Sequence, residues 1–170
     1  MKTLKKIFCL AVLLLLTFVA CKKEDDTFCI GDILQTGTMT MGNITITVPG
    51  EQAYTGVGAL PGPFKFGKYD GQISSVIIRQ TLTETGMEVE LRHYFDDGEG
   101  NQFWTHDHAI MTPVNGSETI FNVYDEMAIW TGTGDFECAG GMLINEGVAD
   151  FATSKLEIKV TGTVCGGKCD

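Results

Sequence analysis

The chain has 170 residues, enough for one ordinary domain, and its 22 acidic side chains outnumber its 12 lysines and arginines. A formal net charge of −10 repels phosphate groups, which argues against nucleic acid as a partner. Hydrophobic residues make up 44% and charged residues 20%, so the chain can bury a core and is not disordered throughout.

Residues 1–20 have the composition of a secretory signal peptide. Three lysines, Lys2, Lys5 and Lys6, precede an apolar run over residues 7–20 that is too short for a membrane span of about 20 residues. Removal of this segment takes three of the 12 basic residues and none of the 22 acidic ones. We therefore expect a mature chain of 150 residues with a net charge of −13.

The signal-like segment ends in the sequence Phe18-Val19-Ala20-Cys21. This ending resembles the lipobox of bacterial lipoproteins, in which the cysteine becomes the acylated first residue of the mature protein. The resemblance implies a lipoprotein of the bacterial outer membrane that reaches the membrane through lipid on Cys21. A plain secreted protein and an uncleaved anchor are the alternatives.

Residues 21–35 are predicted to be a tether, because two lysines and then three acidic residues follow Cys21. This run resembles the export signal that sends some bacterial lipoproteins to the cell surface, which would expose the protein there. A charged linker that holds the domain off the bilayer explains the same residues. The remaining residues, 36–170, are predicted to form a single β-barrel domain.

Four cysteines remain if Cys9 leaves with the signal peptide and Cys21 carries lipid: Cys29, Cys138, Cys165 and Cys169. An even number of cysteines in an exported chain predicts two disulfides. We expect Cys29 to pair with Cys165 or Cys169, which would join the start of the domain to its end. The alternative use of the C-terminal pair is a zinc site at C-x3-C spacing.

Strand patterns follow one another along the rest of the chain. Residues 38–48 alternate isoleucine and valine with threonine, and residues 87–95 alternate apolar with charged side chains. Between them, residues 51–68 are rich in glycine and proline, which predicts a long connection with at most one short strand, placed as a flap over any cavity. Further strands are predicted over residues 72–84, 101–112, 118–130, 141–151 and 155–164, and a helix over residues 121–130 is the alternative at that point.

These patterns predict an all-β fold of about eight antiparallel strands, each with one apolar face. Such strands form either a closed barrel or a sandwich, and closure into a barrel removes the exposed sheet edges. No internal repeat and no second domain is apparent in the sequence.

One glycine-rich motif carries a resemblance to a known superfamily. Its positions are Gly132, Thr133, Gly134, Phe136, Ala139 and Gly141. Physically the motif is a tight glycine turn, a core phenylalanine and small residues where a strand bends. The motif resembles the allene oxide cyclase and dirigent superfamily, which implies an eight-stranded, calycin-like barrel with a central cavity. No catalytic residue of that superfamily aligns with this chain.

Three histidines, His93, His106 and His108, are the candidate metal ligands. They share a face of the sheet if the intervening hairpin loop has an even number of residues, and lie on opposite faces if the number is odd. An acidic loop with Asp97, Glu99 and Asn101 alternates as calcium ligands do, but it lacks the glycine and glutamate of an EF-hand.

No nucleophile or phosphate-binding motif is present, so the sequence predicts no catalytic residue, no metal and no cofactor. We expect a non-catalytic module that binds a small apolar ligand in the barrel or binds a partner surface. The alternative is an enzyme that uses the cavity, as a cyclase-like isomerase or through a metal on the three histidines.

Overall fold

The computed structural model describes residues 27–167, and this part of the chain is all-β. It has nine strands and two short 3₁₀ turns, Val114–Gly116 and Gly134–Phe136. The strands are β1 (Phe28–Thr47), β2 (Ala53–Ala59), β3 (Gly62–Phe66), β4 (Tyr69–Leu82), β5 (Met87–Asp96), β6 (Gln102–Pro113), β7 (Ile120–Thr133), β8 (Gly140–Asp150) and β9 (Lys155–Gly166).

The strands form one antiparallel sheet in the order β2-β1-β9-β8-β7-β6-β5-β4-β3. The sheet curls into a nearly closed barrel, which confirms the predicted fold class with one strand more than expected. Closure comes from β2, which lies against β4. The backbone N–H of Ala59 donates to the Ser75 hydroxyl at 3.1 Å.

The extra strand comes from the segment predicted to be a flap, and that prediction was wrong. Residues 51–68 contain both β2 and β3, and the side chains of Ala59, Phe64 and Phe66 are buried in the core. Glycine and proline here allow β2 to approach its neighbour closely and connect two short strands, so they do not indicate a mobile loop.

Two other boundaries differ from the sequence expectation. The first strand begins at Phe28, inside the predicted 21–35 tether, because β1 pairs with β9 from its first residues and buries Ile33. The helical alternative for residues 121–130 is wrong, since they belong to β7 and bury every second side chain, Phe121, Val123 and Asp125 among them.

The predicted link between the ends of the domain is confirmed. Cys29 and Cys165 face each other across β1 and β9 and form a disulfide that closes a span of 136 residues. In the loop-entropy description, a closure of that length contributes about 5 kcal/mol to stability. Cys138 is also disulfide-bonded, and the zinc alternative is wrong because Cys165 is already paired. Cys21 and Cys169 lie outside the described residues.

The barrel interior has two apolar ends. One end is filled by aromatic rings in edge and tilted contacts, among them Phe66, Tyr69, Phe95, Phe103 and Phe136. The other end is lined mostly by aliphatic side chains, and its residues include Val89, Leu91, Ala109, Met111, Phe121, Val123 and Ala149. The aromatic side chains are almost fully buried, and a cavity inside the barrel is lined by side chains of the second end.

Candidate functional site

A layer of polar side chains separates the two apolar ends of the barrel. Along β5, His93 lies between Leu91 of one end and Phe95 of the other. The same alternation places Asp125 on β7 between Val123 and Met127. We call the buried side chains at this level the polar layer: Ser75, His93, Thr105, Asp107, Asp125 and Asn145. Buried polar groups in a barrel core must be satisfied by hydrogen bonds, so their contacts show what the layer can do.

His93 is held in one orientation by neighbours on β6. Its Nδ1 lies 3.1 Å from Oδ2 of Asp107, and its backbone N–H donates to the Thr105 hydroxyl at 3.0 Å. The Thr105 hydroxyl in turn donates to Asp107 Oδ2 at 2.8 Å. A carboxylate at Nδ1 fixes the ring, which leaves Nε2 as the nitrogen that can exchange a proton with another group.

The free nitrogen of His93 points toward Asp125, with Nε2 and Oδ2 4.0 Å apart. Both side chains line a cavity of about 40 Å³ together with Ser75 and Asn145. The rest of the lining is apolar and includes Met41, Val57, Ile77, Leu91, Ala109, Met111, Val123, Ala149, Phe151 and Leu156. A volume of this size holds a few water molecules or the end of a larger molecule.

Burial and charge act together on the two titrating groups at the cavity. Burial raises the pKa of Asp125 to about 7, and the nearby Asp107 carboxylate adds to the rise while His93 opposes it. Burial alone would lower the pKa of His93, but the charge and hydrogen bond of Asp107, together with Asp125, raise it overall. Protons are therefore retained between His93 and Asp125 at neutral pH, and an imidazole oriented by a carboxylate is also the arrangement of a general acid or base.

Three buried oxygen atoms of the polar layer lack a hydrogen-bond donor within residues 27–167: Oδ1 of Asp107, Oδ1 of Asp125 and Oδ1 of Asn145. Asp125 and Asn145 are direct partners across β7 and β8, and both line the cavity. A buried acceptor without a donor costs about 1–3 kcal/mol, so this arrangement favours an occupant that donates hydrogen bonds.

The sequence motifs did not reveal most of this layer. The sequence predicts His93 as a candidate metal ligand, but it does not predict Asp107, Asp125 or Asn145 as site residues. A signal was present: Asp107 follows Phe103 and precedes Ala109 and Met111 at even spacing, on the face that the pattern buries. A charged residue at an inward position of an alternating strand therefore indicates a buried polar site.

The three candidate metal ligands do not converge. The hairpin loop between β5 and β6 covers residues 97–101, an odd number, so His93 points inward while His106 and His108 lie on the outer face. His106 Nε2 bonds Glu51 at 2.6 Å and its ring stacks on Trp130, with centroids 4.4 Å apart. Within residues 27–167, no group of three or more His, Cys, Asp or Glu side chains is arranged to hold a metal ion.

The acidic loop uses its oxygens to fold itself. Asp97 Oδ1 accepts from the backbone N–H of Glu99 and of Asn101, and Oδ2 accepts from the Asn101 amide at 2.6 Å. These bonds are those of a capped hairpin turn, and they engage both carboxylate oxygens of Asp97.

The glycine motif forms the turn between β7 and β8. Gly134 has a φ of 61°, in the left-handed region that glycine adopts without strain, and the turn that it starts buries Phe136 completely. Thr133 donates its hydroxyl to the Gly100 carbonyl, and Ala139 packs against the aromatic end. The physical interpretation of Gly132 to Gly141 as a tight turn with one core phenylalanine is therefore confirmed.

Fold and site together define a single-domain antiparallel β-barrel with a polar layer inside it and a small cavity above that layer. Comparison with known protein families, with curated proteins and with solved structures finds no match to this chain. Over residues 27–167, no helix is long and apolar enough to cross a membrane.

Proposed function

We propose that the barrel is a binding module for a small molecule with a polar end and an apolar body. The polar end enters the cavity at His93, Asp125 and Asn145, and the body lies against the apolar lining. One observation supports this proposal. Asp125 and Asn145 each have a buried Oδ1 atom that accepts no hydrogen bond, and both side chains line the cavity.

The volume of the cavity limits what can bind. About 40 Å³ is far below the roughly 300 Å³ or more of a typical drug-sized pocket, so only a group of a few heavy atoms fits beside the polar layer. The apolar body must extend toward the partly exposed side chains at the other end, Met41, Phe151 and Leu156. A short amphiphile meets both conditions.

We also propose that the protein is a lipoprotein anchored through Cys21, at the outer membrane or on the cell surface. The support is the sequence of residues 1–26, which lie outside the described part of the chain, and the even set of cysteines expected of an exported protein. The likeness to allene oxide cyclase and dirigent barrels remains a proposal of the same kind, supported by the turn at Gly134.

An enzyme that uses the cavity is the second candidate, and one observation favours it: the His93 ring is oriented by Asp107 with its free nitrogen toward the cavity. The version through a metal on three histidines lacks support, since His93 is on the opposite face from the other two. The two functions differ in the fate of the bound molecule, because a binding module releases it unchanged.

Titration of the ¹⁵N-labelled protein with 1-butylammonium, 1-butanol and butyrate tests the binding function. We expect at least one of the three to shift the amide signals of cavity residues such as Ser75 and Asn145. Ala149→Leu, which fills the cavity, should abolish the shifts because the side chain of Ala149 is buried in its wall. The matched control is Ala128→Leu on the outer face of β7, which should leave them unchanged. Absence of binding by all three compounds would contradict the proposal.

A further inference from the structure

We propose that the polar end of the ligand is an ammonium group, so that the barrel binds a primary alkylamine through Asp125 and Asn145. This inference rests on the proposed binding function and names the chemical class of the ligand. It follows from the kind of hydrogen-bonding atoms that the cavity leaves unsatisfied, from the charges around them, and from the shape of the apolar lining.

The unsatisfied groups are acceptors. Asp125 Oδ1 and Asn145 Oδ1 are buried without a donor, and a carbonyl oxygen or an ionised carboxylate, as Asp125 is at pH 8, can only accept. An ammonium group has three donors and no acceptor, so it can bond both oxygens with one N–H left over. A hydroxyl has one donor, and a carboxylate has none.

The charges of the polar layer also favour a cation. Two carboxylates, Asp107 and Asp125, face the interior, and His93 is the one side chain in this layer of the described structure that can carry a positive charge. Asp107 already holds the Nδ1 side of that ring. An ammonium beside Asp125 would place a positive charge next to that carboxylate, whereas a carboxylate ligand would face two like charges. The acidic net charge of the chain favours approach of a cation as well.

The apolar lining of the cavity is the reason to expect an alkyl chain on the amine. Met41, Val57, Phe151 and Leu156 carry no charge and lie at the partly exposed side of the cavity, so they can cover a few methylene groups while the head reaches Asp125. A doubly charged or sugar-like amine would place polar groups against these side chains without partners.

Binding should depend on pH through the groups that face the cavity. These are His93 on β5 and Asp125 on β7, while the cavity residues Ser75 on β4 and Asn145 on β8 do not titrate. Asp107 on β6 is the charged group that packs against His93, on the Nδ1 side of its ring. A proton on His93 repels the incoming cation, and a proton on Asp125 removes the charge that attracts it. Both protons are lost as the pH rises, so amine affinity should increase from pH 5 to pH 8.

The test compares the three four-carbon compounds on the purified protein by the same NMR titration. We expect 1-butylammonium at pH 8 to bind about tenfold more tightly than 1-butanol, as for a charged hydrogen bond against a neutral one, and butyrate to bind least. Asp125→Asn keeps the size and shape of the side chain but removes its charge, so it should remove the preference for 1-butylammonium over 1-butanol. Glu146→Gln, which changes the exposed neighbour of Asn145 on the outer face of β8, is the matched control and should retain it.

The outcomes separate this inference from the function on which it rests. Equal or tighter binding of butanol or butyrate would overturn the amine assignment and leave the binding function in place. Failure of all three compounds would overturn both. If Asp125→Asn does not fold, the pH series on the unmodified protein decides, since amine affinity that is flat or falls between pH 5 and pH 8 contradicts the assignment.

Discussion

His93 shows how a single residue takes its role from its position in a strand. Its neighbours on β5 alternate between the core and the solvent, and its odd separation from His106 across the hairpin directs it inward. There it meets Asp107 and Asp125, two charged groups that the fold buries with it. On the outer face of the sheet these three residues would be ordinary surface side chains. On the inner face they form a buried network whose protonation is linked to the stability of the fold.

This linkage predicts how stability changes with pH. A pKa raised on folding means that the folded protein holds the proton more tightly, so the stabilisation is complete below the unfolded-state pKa and is lost as the pH rises. Asp125 is raised from 3.8 to about 7, and His93 is raised from 6.5. The free energy of unfolding should therefore fall between pH 4.5 and pH 8 by a few kcal/mol, about 1.4 kcal/mol for each pKa unit.

Urea denaturation at several pH values measures this fall. Asp125→Asn should flatten the profile, and Glu146→Gln, on the exposed face of β8, should leave it as it is. Carboxyls whose pKa is lowered by hydrogen bonds, Asp96 from Tyr94 and Asp150 from Thr153, lose their stabilisation only in more acidic solution and do not mask the effect. Parallel profiles for Asp125→Asn and the unmodified protein would show that Asp125 does not titrate in this range.

At the scale of elements, β2 decides whether the barrel closes. It has a hydrogen-bonded ladder only with β1, yet it passes so near β4 that Ala59 bonds the Ser75 side chain. A Cβ added at Gly58 would lie 1.8 Å from the Ser75 carbonyl oxygen, which leaves no room for any side chain. The glycines of this segment therefore permit a close crossing of strands.

Gly58→Ala should destabilise the protein by about 2–3 kcal/mol, as expected when a tightly packed contact is forced apart. The matched control is Gly37→Ala on β1, where an added Cβ would meet no atom within 4 Å, and which should be neutral or slightly stabilising. Chemical denaturation gives both values. A Gly58→Ala variant as stable as Gly37→Ala would mean that β2 does not approach β4 in solution.

At the scale of the whole molecule, the disulfide between Cys29 and Cys165 joins the first and last strands of the barrel. The described residues thus begin and end at the same place on the sheet, with β1 paired to β9. A tether that leaves this point would hold the barrel by one end. The proposed anchoring at Cys21 can therefore be tested by a substitution outside the barrel.

Cys21→Ala should move the protein from the membrane fraction to the soluble fraction when the chain is expressed in a bacterial host. The proposed lipid on Cys21 would be the hydrophobic anchor, because the acidic chain has no attraction of its own for anionic lipid head groups. Cys9→Ala, within the same apolar run, is the control and should remain with the membrane. Unchanged partition of Cys21→Ala would contradict the lipoprotein assignment.

The sequence by itself determined the all-β class, most strands and the link between the ends of the domain, because these depend on local alternation and on cysteine number. It failed at β2 and β3, because their glycines and prolines are also typical of a loop. The structure shows that glycine at position 58 is needed for the close approach of β4. Only the tertiary structure brought Asp107, Asp125 and Asn145 to His93, since they come from separate strands whose register and inward faces depend on closure of the whole sheet. Packing around that layer then decided which buried oxygen atoms have no donor, and our proposal for the ligand rests on those atoms.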